Sequence, residues 1–66
     1  MFIQVTTRYQ GVRCFININT IKAVISLDDK TEIRYGYDDA VSVKDSAEEI
    51  IANINKVRLE SDHHED

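Results

Sequence analysis

Apolar and polar positions alternate with period two through the first half of the chain, the mark of half-buried β-strands. Ile3, Val5, Thr7 and Tyr9 fall on one face, and Phe2, Gln4, Thr6 and Arg8 on the other. After Gln10-Gly11 the alternation resumes, with Val12, Cys14, Ile16 and Ile18 on one face and Arg13, Phe15, Asn17 and Asn19 opposite. A two-residue turn at Gln10-Gly11 would pair Tyr9 with Val12, Thr7 with Cys14, Val5 with Ile16 and Ile3 with Ile18. Every apolar side chain then lands on the same side, and a slip of one residue would mix the faces.

A short link at Asn19-Thr20 leads to a third strand over residues 21–27, with Ile21, Ala23, Ile25 and Leu27 inward. Asp28-Asp29-Lys30 is a polar turn. Thr31, Ile33, Tyr35 and Tyr37 then alternate inward against Glu32, Arg34 and Gly36, and Val41 and Val43 form a short fifth strand. The period changes after Lys44. Ser46-x-x-Glu49 is a capping box, and Ala47, Ile50, Ile51, Ile54 and Val57 recur at helical spacing. Leu59 falls off that stripe, so the helix is expected to fray near Arg58. The fold class expected is α+β: an antiparallel five-stranded meander sheet with one C-terminal helix packed on one face. Residues 1–60 form a single domain in this reading, and residues 61–66 a disordered acidic tail.

At 66 residues the chain holds one domain. Below roughly 70–80 residues a lone core rarely supplies more than about 3–5 kcal/mol, which makes self-association as a homodimer one expected mode of stabilisation. The single cysteine offers no disulfide and suits a reducing, cytoplasmic setting. No apolar run approaches the about 20 residues that span a bilayer, so no membrane partner is expected. The 8 basic and 12 acidic residues, net −4, argue against non-specific attraction to nucleic acid.

No catalytic set can be assembled on rigid elements. Cys14 sits in an apolar alternation as a small buried hydrophobe, and His63 and His64 lie in the tail. The cluster from Asp62 to Asp66 could hold a divalent metal only weakly, because ordering it costs entropy. Asp28-Asp29 and Asp38-Asp39 lack the spaced ligands and closing Glu of a calcium loop. No cofactor or metal is expected, and the chain reads as non-enzymatic.

The informative feature is where the cations fall. In the expected register the sheet face away from the helix carries Arg8, Arg13, Lys22, Arg34 and Lys44, with Glu32 as its one in-strand acid. Arg8 would sit opposite Arg13. Phe15, Val24, Arg34 and Lys44 would form one row across the strands, with Phe2 near the edge. An exposed Phe beside arginines suits a protein interface or self-association. It would also serve single-stranded nucleic acid, whose bases stack on such rings. Gly36 marks a bend on that face or the close approach of another chain.

Val5-Thr6, Gly11, Ile18-Asn19 with Ile21, and Val43-Lys44-x-Ser46-x-x-Glu49-Ile50 together resemble the small FlbD/SwrD flagellar and swarming-motility family over roughly residues 3 to 57. Thr20 stands where that family commonly has Pro. The resemblance implies a non-enzymatic accessory protein that acts on motility machinery through a partner, with no catalytic residues to carry over. The order of strands followed by a helix is also similar to part of a LytTR-type DNA-binding domain, for which the chain is short and acidic.

Overall fold

The alternation at the N-terminus produces strand β1 (Phe2–Thr6), paired antiparallel with β2 (Arg13–Asn17). In this computed structural model the backbone is described for residues 1–63 and the side chains for residues 1–60. Ile3 and Val5 are buried, and they face Ile16 and Cys14. The pairing is therefore shifted by two residues from the expected Val5–Ile16 and Ile3–Ile18, which leaves each side chain on its expected face. The shift arises at the turn. Gly11 has φ 64° and its N–H donates to the Thr7 carbonyl at 3.1 Å, closing a longer loop than Gln10-Gly11 alone. Tyr9 and Val12 are consequently exposed and not opposite each other; Val12 pairs with Thr7 instead.

Beyond β2 the chain does not turn straight into another strand. Residues Ile18–Thr20 form a 3-10 turn, capped by the Asn17 side chain, which accepts from the Asn19 N–H at 3.0 Å. Ile18 plugs the core from within this turn. Ile21 packs on the core as expected, and so do Thr31, Ile33, Val41 and Val43 further on, so the departure from the expected phase is confined to the next strand. Strand β3 (Ala23–Ser26) pairs with β4 (Thr31–Arg34), and β4 with β5 (Ala40–Val43), all antiparallel. Val24 faces the fully buried Ile33 and packs against the core, while Ala23 and Ile25 oppose Arg34 and Glu32. The expected inward set Ala23, Ile25 and Leu27 is thus the wrong phase for this strand.

The expected single meander is also corrected. The strands form two sheets, β1-β2 and β3-β4-β5. A bridge of Thr7 with Val43 stitches them together. On either side of it the Arg8 N–H donates to the Ser42 carbonyl at 2.9 Å and the Lys44 N–H to the Thr6 carbonyl at 2.8 Å. The Thr6 N–H then donates to Asp45 Oδ1 at 2.7 Å, so a side chain takes the place of the next backbone acceptor.

The β4–β5 turn begins earlier than expected. Tyr35 and Gly36 both direct their N–H groups at the Asp39 carbonyl, at 3.1 and 3.4 Å. Tyr35 and Tyr37, expected inward, are exposed in this turn, Tyr37 at 97%. A Cβ on Gly36 would lie 2.7 Å from Asp39 Oδ2, so the close approach there is internal to the turn.

Helix α1 (Ala47–His63) opens with the expected capping box. The Glu49 N–H donates to Ser46 Oγ at 3.1 Å, and the Ser46 N–H to Glu49 Oε1 at 3.3 Å. Ile50 is fully buried, Ile54 and Val57 pack on the core, and Ile51 is half exposed at the stripe's margin. The helix lies against β1 and β3 and runs past Arg58. The expected tail over residues 61–66, with the metal reading of its histidines, falls on side chains outside the described residues. No helix among the described residues is long and apolar enough to cross a membrane.

Candidate functional site

Strand β2 is where exposed side chains and free backbone coincide. The Thr7 N–H donates to the Val12 carbonyl and the Ile18 N–H to the Met1 carbonyl, at 2.8 and 3.0 Å. Bonded and non-bonded pairs alternate along an antiparallel ladder. Cys14 and Ile16 therefore spend their backbone groups on Val5 and Ile3, whereas Arg13, Phe15 and Asn17 turn theirs toward the open side of β2. Among the described residues β2 pairs with β1 alone, so this side is a sheet edge. The same three residues carry the outward side chains. Phe15 is 68% exposed beside the exposed Gln4, and Phe2, 57% exposed, lies diagonally across.

The inward face of β2 is apolar, and it borders a groove. Cys14, Ile16, Asn17 and Phe15 line it together with Tyr35 of the β4–β5 turn and Val41 of β5, around a volume of about 290 Å³. Cys14 is a free, half-buried thiol against the core.

The expected basic face is broken up. Arg8 is not opposite Arg13. It lies in the β1–β2 turn, where its Nη1 donates to the Asp29 carbonyl at 2.8 Å and its Nη2 lies 3.6 Å from Asp29 Oδ2. Its guanidinium also sits 5.8 Å from the Tyr9 ring centre. Arg13 instead opposes Thr6, which in turn pairs with Lys44, so Arg13 and Lys44 flank Thr6 on one outer row. Arg34 is on the outer face of the second sheet, where its Nε lies 3.7 Å from Glu32 Oε1. Lys22 is exposed just ahead of β3. Val24 is removed from the site, because it pairs with the buried Ile33 and packs on the core. The expected row of Phe15, Val24, Arg34 and Lys44 does not exist, since its members lie on different sheets or faces.

What remains together is Arg13 and Phe15 on the outer face of the first sheet and Lys44 just after β5, across Thr6 from Arg13, joined by Phe2 and Gln4 and by the backbone of β2. An arginine, an aromatic ring and unpaired amides can bind and orient a chain. The open edge could not be read from the alternation, which reports faces and not neighbours. Among the described residues there is no cluster of His, Cys, Asp or Glu that could hold a metal ion. Compared with protein-family models, curated proteins and solved structures, the chain has no match.

Proposed function

We propose that the chain is a non-enzymatic binding protein that acts through β2, using its free edge and its outer face to capture a protein strand. The observation that carries this is the coincidence of exposed side chains with outward N–H and C=O groups at Arg13 and Phe15, continued by the outward N–H of the half-buried Asn17. Strand addition to such an edge draws affinity from main-chain hydrogen bonds and specificity from alternate side chains. Phe15 and Arg13 belong to the residue types enriched at interfaces. The resemblance to the FlbD/SwrD family supports the same class of action, an accessory protein working through a partner. A cytoplasmic setting is part of the reading and suits the free Cys14.

Single-stranded nucleic acid is the less favoured ligand. Arg8 and Arg34 each lie beside an acid, which leaves Arg13 and the neighbouring Lys44 as the cations beside Phe15, on a chain of net charge −4. The test is to select extended peptides against the labelled protein and map them by amide chemical shift. Shifts centred on Arg13, Phe15 and Asn17, abolished by Phe15→Ala with Arg13→Glu, are expected. Peptides that map to α1, or that ignore both substitutions, would count against the reading. Oligonucleotides that shift the same amides and release with salt would replace the protein ligand by nucleic acid.

A further inference from the structure

Resting on that reading, we infer that the strand β2 captures is the β2 of a second copy of this chain. The edge carries little of the usual protection. It spans Arg13–Asn17, holds no proline and no lysine, and its single charge is at its start. Antiparallel pairing about a two-fold axis at Phe15 makes it self-complementary.

In that register Phe15 meets the partner's Phe15, and their outward N–H and C=O groups exchange both bonds. Arg13 meets the partner's Asn17, and the Asn17 N–H reaches the Arg13 carbonyl across the axis. The Asn17 carbonyl already accepts from Thr20 Oγ1 at 2.7 Å. Like charges are not opposed, because each Arg13 faces a neutral Asn17. On the inner face Cys14 meets the partner's Ile16, which sets apolar against apolar next to the groove at Tyr35 and Val41. An axis between residues would set outward groups against the amides of Cys14 or Ile16, which are already spent on β1, and an axis at Cys14 or Ile16 would oppose fewer of the outward residues Arg13, Phe15 and Asn17. The result is a continuous sheet β1-β2-β2-β1. The seam is one short strand long, less than the about 800 Å² per partner of a stable interface. The dimer is therefore weak, and its population rises with concentration.

Register-specific trapping tests this. In the non-bonded pair of Cys14 with the partner's Ile16 the Cα atoms approach to about 4.5 Å, within the range a disulfide accepts. The wild-type chain and a Cys14→Ser, Ile16→Cys double variant are mixed in a glutathione redox buffer. Each chain alone places its thiol opposite Ile or Ser, so the mixed disulfide should form in preference to either homodisulfide. Homodisulfides as abundant as the mixed species would overturn the register. Sedimentation equilibrium provides a measurement that does not depend on the double variant folding. The wild type should show a concentration-dependent dimer, Phe15→Glu should stay monomeric, and Asn17→Asp should tighten the dimer several-fold. The aspartate keeps the cap on the 3-10 turn and faces the partner's Arg13. A wild type that remains monomeric at every concentration would also overturn the inference. If selected peptides then still map to Arg13, Phe15 and Asn17, the open edge stands and only the second copy falls. If they do not, both fall.

Discussion

The seam between the two sheets rests on the Thr6 N–H and Asp45 Oδ1, 2.7 Å apart and partly buried. Replacing Asp45 by Ala leaves that N–H without its acceptor. A hydrogen bond to a charged group contributes about 1.5–3 kcal/mol, and bonds of this kind are roughly twice as strong as neutral ones. Asp45 also precedes the first turn of α1, where a negative charge adds about 0.3–1 kcal/mol. Asp45→Ala loses both contributions. Asp45→Asn loses the charge but keeps the Oδ1 acceptor, so the difference between the two variants, about 1 kcal/mol, isolates the hydrogen bond.

A domain of this size has only about 3–5 kcal/mol to lose, which makes these steps large. Urea unfolding with linear extrapolation measures them directly. Asp45→Ala should shift the midpoint most, Asp45→Asn should fall between it and the wild type, and m should stay constant. Ala and Asn variants of equal stability would refute the claim that this side chain closes the β1–β5 seam.

Two other substitutions test the corrected geometry. Gly11→Ala forces a Cβ into a backbone with φ 64°, and should cost about 1 kcal/mol in urea unfolding, with the β1–β2 loop amides losing protection. Val24→Asp should cost roughly 2–3 kcal/mol, well above Ala23→Asp, because Val24 faces Ile33 while Ala23 faces Arg34. Equal costs would restore the phase read from the alternation.

The parts of the fold that depend on local periodicity were legible. Ile3, Val5, Cys14 and Ile16 share the inner face as the alternation requires, and Ser46 with Glu49 caps the helix whose Ile50, Ile54 and Val57 meet the core. What was not legible depends on events between elements. The Asn19-Thr20 link reads as a simple turn, but Ile18–Thr20 winds into a 3-10 turn because Asn17 offers its side chain to the Asn19 N–H. An Asn followed two residues later by another polar residue was the available signal. A change of phase between Ile21, which packs on the core as expected, and Val24 put Val24 in the core and broke the expected row. The approach of Thr7 to Val43 and of Arg8 to Asp29 joins residues far apart in the chain, and nothing in their neighbours announces it. Arg13 and Phe15 were nevertheless identified as outward from alternation alone, and they are the two that the open edge retains.

Amide hydrogen exchange resolved along β2 tests the central claim, that this strand binds through its free edge. In dilute protein the Cys14 and Ile16 amides, bonded to β1, should exchange slowly, while those of Arg13, Phe15 and Asn17 exchange at near-solvent rates. On raising the concentration, or on adding a selected peptide, protection should appear at Phe15 and Asn17 and nowhere else to the same degree. Outward amides already as slow as their neighbours in dilute protein, or unchanged when the partner is bound, would contradict it.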